Sequence, residues 1–243
     1  MHGQYLKNMK NNRVFLFAAL LIMSFSTPIN ANSPSDLIDA IMRLDDFGII
    51  KSDIIADLTI IQADSSYIRV IAPKNFVQRM EVSVKDNLLE VSTRKTYMKG
   101  KKIKIIICSP SIYGVFNNGY GNVNIPGPIR TESFYLENKG VGNVNINNII
   151  STSLSIKSDG IGYVNISGKV EKAKYQINGI GDLNASKCEA SHVEVISNGI
   201  GNTKCHAANS IQIRSKGIGN ILYWGSPATR NVIKTGVGNI VAR

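Results

Sequence analysis

A seven-fold internal repeat constrains this chain more than any other feature. From Gly119 onward the sequence reads Gly119-Tyr-Gly121-Asn-Val-Asn-Ile, Gly140-Val-Gly142-Asn-Val-Asn-Ile, Gly160-Ile-Gly162-Tyr-Val-Asn-Ile and Gly179-Ile-Gly181-Asp-Leu-Asn-Ala. Three looser copies follow at Gly199-Ile-Gly201, Gly217-Ile-Gly219 and Gly236-Val-Gly238. Successive first glycines lie 21, 20, 19, 20, 18 and 19 residues apart. A unit of this size cannot bury an apolar face alone, so an even repeat implies stacking of one unit on the next.

Within each copy the apolar period is two. Val123 and Ile125, Val144 and Ile146, and Val164 and Ile166 follow the second glycine, separated by polar residues. Phe134 and Leu136, Leu154 and Ile156, Val193 and Val195, and Ile211 and Ile213 alternate in the same way before the first. Such alternation specifies half-buried strands. Each repeat therefore reads as strand, Gly-x-Gly corner, strand, and a polar turn such as Asn147-Asn148 or Ser167-Gly168-Lys169. The expected fold is all-β: a β-solenoid of about 20-residue coils, stacked about 4.8 Å apart. Both glycines are expected to allow a sharp corner at positive φ, with the residue between them pointing inward. Asn124, Asn145, Asn165 and Asn184 recur at matching offsets and should form a ladder. That ladder is read first as a way of closing the coils and second as a polar binding surface.

The repeated Gly-Ile-Gly-Asn core behind an apolar leader resembles the head GIN domain family, named for auto-transporter adhesins and without an assigned function. The resemblance extends upstream. Asp53–Ile61, Ser66–Ala72, Arg79–Val84, Asn87–Ser92 and Lys102–Cys108 read as successive strands, and Ser109-Pro-Ser-Ile-Tyr-Gly-Val115 resembles the family's entry to the repeats. It covers roughly Phe47 to Arg243 and implies no catalytic residues. It implies an adhesin-like protein that presents a surface.

Residues 1–31 read as a secretory signal peptide: Lys7, Lys10 and Arg13, then an apolar run from Val14 to Ser26, then a small-residue exit ending at Ala31. Met9 is an alternative initiator. The apolar run is shorter than the roughly 20 residues that span a bilayer. No Cys lies near the cleavage site, which argues against a lipid-anchored form. The whole chain has 28 Lys+Arg against 17 Asp+Glu, net +11; cleavage removes three bases and no acid, leaving +8. Residues 32–243 are expected to form one exported domain with no transmembrane span, in the periplasm, at the cell surface or secreted. No autotransporter barrel is read after the repeats, so attachment to a cell is expected through another molecule.

The open core at each end of a solenoid needs a cap. Ser35–Asp46 is expected to be a short capping helix, with Leu37, Ile38, Ile41 and Leu44 on one face and Gly48 as its stop. At the other end the final coil leaves an edge suited to homo-oligomerisation. The densest charge is Arg94, Lys95, Lys99, Lys101, Lys102 and Lys104, around Gly100. This reads as a hairpin tip, either solvated edge protection or an attraction for an anionic glycan or envelope surface. No aromatic platform or recognition helix accompanies it, so nucleic acid is not expected.

The three cysteines give little redox chemistry. Cys108 and Cys188 lie four repeats apart, roughly 19 Å at the coil spacing, too far for a bridge. Cys188 and Cys205 fall in adjacent coils and are a candidate disulfide, although Cys205 occupies an inward slot where simple burial is the safer expectation. Cys188-x3-His192 and Cys205-His206 suggest zinc, but adjacent strand residues face opposite sides. No metal or cofactor is expected.

Enzyme classes lack their signatures. Glu132, Glu137, Asp159, Glu171, Asp182, Glu189 and Glu194 fall at scattered offsets rather than pairing on one site. Beyond His2, only His192 and His206 could serve a nucleophile. The Gly-x-Gly leads into a strand, unlike a dinucleotide loop. The expected function is non-enzymatic presentation of a surface to glycans, envelope components or protein partners. An envelope polysaccharide-acting enzyme with a groove along one face is the alternative.

Overall fold

The computed structural model describes residues 37–94 and 103–243. The signal-peptide reading and Lys95, Lys99, Lys101 and Lys102 of the basic tip lie outside the described residues.

Strand follows strand almost without interruption. The elements are β1 (Leu37–Arg43), β2 (Ile49–Asp53), β3 (Asp57–Gln62), β4 (Tyr67–Pro73), α1 (Lys74–Val77), β5 (Met80–Lys85), β6 (Leu88–Thr93), β7 (Lys104–Ser109), β8 (Gly114–Asn117), β9 (Val123–Ile125), β10 (Ile129–Asn138), β11 (Val144–Ser158), β12 (Val164–Ile177), β13 (Leu183–Ser197), β14 (Thr203–Ser215), β15 (Ile221–Trp224), β16 (Thr229–Lys234) and β17 (Ile240–Ala242). The repeat strands β10 to β17 pair in parallel, in register with the sequence repeat: Val144 faces Val123 and Val164, and Leu183 faces Val164 and Thr203. The fold is the β-solenoid that the repeat dictates.

The inward positions stack into apolar columns. Val123, Val144, Val164, Leu183, Thr203 and Ile221 form one buried column; Ile125, Ile146, Ile166, Ala185, Cys205 and Tyr223 form another. The first column is nearly uniform in size, and the second holds three isoleucines, then the smaller Ala185 and Cys205, then Tyr223. The polar turns expected at Asn147-Asn148 and Ser167-Gly168-Lys169 do not end the strands. They are bulges inside β11 and β12, marked by register shifts and by positive φ at Asn148 (56°) and Gly168 (145°). One extra residue bends the strand while the ladder resumes beyond it.

The coil order is not the chain order at the N-terminal end. β2 and β3 pair in parallel with β8 and β9, and on their other side with β6 and β7. Ile55 between β2 and β3 bridges to Tyr120, so Ile54-Ile55-Ala56 is a corner of the same stack without glycine. For that reason Asp53–Ile61 is two strands around a corner rather than one strand.

The capping helix does not form. Leu37–Arg43 is strand β1, antiparallel to β4, which itself pairs with β7. The pattern Leu37, Ile38, Ile41, Leu44 fits a helical face, but Ile38, Ala40 and Met42 fit a strand face equally, and β4 offers an edge to pair with. Ladder hydrogen bonds and the Arg69–Asp39 ion pair, with Nη2 and Oδ2 2.5 Å apart, favour the strand.

Candidate functional site

The corners set what the outside of the coils presents. From Val141 onward the N–H of the residue between the glycines donates to the first glycine's carbonyl in the coil before, as in Ile180 N to Gly160 O at 3.0 Å, and Tyr120 N donates to Ile54 O in the same way. The second glycine's N–H donates the other way, as in Gly181 N to Ile200 O at 2.9 Å. Both bonds run along the stack, as they do for the inward Val144, and the strand period of two continues through the corner. Gly160 is in phase with the buried Ser158 and Val164, and Ile161 between the glycines is out of phase and points outward. Ile55, Tyr120, Val141, Ile161, Ile180, Ile200, Ile218 and Val237 are therefore exposed, from 39% to 67%, and form an outer apolar ridge. The expectation that they point inward is wrong for this reason.

The glycines on either side serve distinct needs. Gly181 sits at φ +139°, and a Cβ there would come within 2.0 Å of the Gly162 carbonyl oxygen. Gly179 lies outside the positive-φ region, but a Cβ on it would meet the Gly160 oxygen at 2.0 Å. Only the second glycine of each pair has positive φ; the first is required by close approach alone.

Beyond the second glycine runs a polar column: Asp57, Asn122, Asn143, Tyr163, Asp182, Asn202, Asn220 and Asn239. From Asp57 to Asn220, each Asn or Asp side-chain oxygen accepts the backbone N–H of the column residue in the next coil. The bonds are Asn122 N to Asp57 (2.9 Å), Asn143 N to Asn122 (3.0 Å), Tyr163 N to Asn143 (3.0 Å), Asn202 N to Asp182 (2.7 Å), Asn220 N to Asn202 (3.0 Å) and Asn239 N to Asn220 (2.9 Å). This is the physical reason for the fourth residue of Gly-Ile-Gly-Asn. Two residues further on lies the column of Asn124, Asn145, Asn165 and Asn184. The structure aligns these four, yet only Asn165 Nδ2 to Asn145 Oδ1 (3.0 Å) joins two of them among the described residues.

Between the two columns, over three coils, lies a shallow depression of about 140 Å³ lined by Tyr163, Asn165, Asp182, Asn184, Asn202 and Lys204 over the buried Leu183. Sequence reasoning did not single it out. Its signal was present, since Tyr163 is the one aromatic residue in the Asn/Asp column.

A second outer face carries paired charge. Lys157 Nζ lies 2.8 Å from Glu137 Oε1 and 2.9 Å from Asp159 Oδ2, with Lys139 3.1 Å from Glu137. Burial raises the Glu137 and Asp159 carboxyls, but hydrogen bonds outweigh it: from Lys157 and Lys139 to Glu137, and from Lys157 and Asn178 to Asp159. Both groups end below their ordinary values. The Tyr135 phenol is pushed up to about 12, first by burial and then by Glu137. Glu194 likewise bonds Lys174 (2.9 Å) and Arg214 (3.0 Å). A general acid needs a raised carboxyl, and Glu137 and Asp159 are instead lowered.

The remaining candidates are dispersed. Arg94 pairs with Glu81, and Lys104 opens β7 on the surface. Cys108, Cys188 and Cys205 are buried free thiols. The candidate Cys188–Cys205 disulfide is not formed. Cys205 pairs with Ala185, and the register shift between Ala185 and Glu189 leaves Cys188 without a partner on β14. Burial pushes the Cys188 thiol up to about 11 and Cys205 to about 12, so neither is a ready thiolate. His192 Nδ1 lies 2.8 Å from Ser210 Oγ, whereas the Nδ1 of His206 is buried and unpartnered. Among the described residues no cluster of three or more His, Cys, Asp or Glu could hold a metal ion. No helix among them is long and apolar enough to cross a membrane.

Comparison with known proteins places this architecture. A crystal structure described as a "putative adhesin" from Bacteroides fragilis is 33% identical, with a TM-score of 0.84, over 86% of this chain and 99% of that one. Another adhesin-named structure, from Parabacteroides distasonis, has 20% identity and a TM-score of 0.67, over 85% of this chain and 98% of that one. A structure from the same organism described as a "putative lipid binding protein" has 21% identity and a TM-score of 0.62, over 84% and 96%. The last two show the shared fold alone. No curated protein matches the chain. The family model described as "Putative auto-transporter adhesin, head GIN domain" matches residues 46–227, which include the Asn/Asp column from Asp57 to Asn220, and the chain belongs to that family.

Proposed function

We propose that this protein is an exported, non-enzymatic binding module, adhesin-like, that presents the outer faces of its coils to glycans or other envelope components. The observation that carries this reading is the regularity of the outside. A polar column, a bare glycine track and an apolar ridge run side by side along the stack, while the outward carboxylates of Glu137, Asp159 and Glu194 are ion-paired with bases. Family membership and the Bacteroides fragilis relative support an adhesin-like role. The apolar leader supports export, and with it a periplasmic, surface or secreted location. The basic residues from Arg94 to Lys104 add a salt-sensitive attraction to anionic surfaces.

The test is binding of the chain to envelope fractions and polysaccharides at low and at physiological salt. Saturable binding that survives physiological salt is expected. Binding to every anionic surface alike, erased by salt, would overturn the reading.

A further inference from the structure

Tyr163 interrupts the Asn/Asp column, and the interruption has two consequences at one place. Every other column residue from Asp57 to Asn220 supplies an oxygen to the next coil's N–H; Tyr163 supplies none. Asp182 N–H, the donor that follows it, consequently has no protein acceptor among the described residues. The same substitution places an aromatic ring, 56% exposed, beside that donor.

Around the ring the polar groups are of both kinds, and four of them keep an unused atom. Asn165 donates its amide to Asn145, leaving its oxygen open. Asn184 uses its oxygen on Ser186, leaving its two amide donors open. Asp182 commits Oδ1 to Asn202, leaving Oδ2. Lys204 makes no ion pair among the described residues. The six outward residues form two columns across three coils. At about 4.8 Å per coil and about 6.6 Å between alternate strand residues, the patch measures roughly 10 by 7 Å.

We propose that this depression is a carbohydrate subsite that takes one pyranose ring of a neutral glycan. A pyranose has an apolar C–H face and a rim of hydroxyls, each both donor and acceptor. The electron-rich face of Tyr163 receives the former. Asp182 N–H, Asp182 Oδ2, Asn184 Nδ2 and Asn165 Oδ1 match the latter. Lys204 and Asp182 offset one another in charge, which favours an uncharged sugar. The inference rests on the reading of the chain as a binding module and assigns that function to one place on the coils.

The test compares the whole chain with Tyr163→Asn, Tyr163→Phe and Asn184→Ala on an array of glucose, mannose, galactose and N-acetylglucosamine oligomers at physiological salt. Tyr163→Asn restores the column residue used elsewhere, so its melting temperature should match or exceed the wild type. Wild type and Tyr163→Phe are expected to bind at least one oligomer within a few-fold of each other, and Tyr163→Asn and Asn184→Ala about tenfold more weakly. No binding on the array, or equal binding by Tyr163→Asn, would overturn the subsite. If Tyr163→Asn still binds envelope fractions as the wild type does, the subsite fails while the binding module stands. If the wild type binds neither array nor fractions, both fail.

Discussion

At Gly181 two separate constraints meet: a backbone φ that L side chains rarely adopt, and a neighbouring carbonyl where a Cβ would lie. Gly181→Ala should therefore destabilise by about 3 kcal/mol or more, read as a shift of the urea midpoint. Asn202 accepts the Asn220 N–H and donates to Asp182, so Asn202→Ala should cost about 1–2 kcal/mol in the same measurement. A smaller loss than Gly181→Ala is expected because solvent can replace the bonds of a half-exposed side chain but cannot relieve a clash of backbones. The need for glycine was legible in the sequence because it recurs seven times. The direction of the residue between the glycines was not. An apolar side chain is normally read as inward, whereas the stacked corner keeps the strand period and leaves Ile161 and Ile200 out of phase with the buried positions on either side.

Among the elements, the repeat strands were legible and the ends were not. Alternation of period two placed Val144, Ile146, Leu154 and Ile156 in the core, where they lie. For Leu37–Arg43 seven residues satisfy two periods at once, and a long-range partner, β4, decided between them. The same long-range pairing set the coil order of β2, β3, β6 and β7, which no local pattern encodes. Cross-coil contacts also determine a pH response on the charged face. Glu137 and Asp159 have folded values below their ordinary 4.5 and 3.8, so their contribution is complete above those values and is lost as pH falls through the folded ones. The melting temperature should begin to drop below about pH 4.5. Glu137→Gln should be about 1 kcal/mol less stable at neutral pH and show a shallower acid decline. An unchanged acid profile in that variant would show that the Lys157 pairs do not contribute.

For the whole molecule, a polar column, an apolar ridge and a face of paired charge run along the stack, and the sequence concentrates its basic residues between Arg94 and Lys104. Charge and repeat were both visible in the sequence; Tyr163 stood out in its column, but the depression around it needs three coils in register before its six side chains share a surface. The measurement that most directly tests a binding function carried by the coils is an isotherm for the whole chain on envelope polysaccharide at physiological salt. It should be run beside a variant with Lys99, Lys101, Lys102 and Lys104 replaced by Ser. Saturable binding that this variant retains is the predicted result. Binding that disappears with the four lysines would place the function in the basic segment and contradict a role for the coil faces.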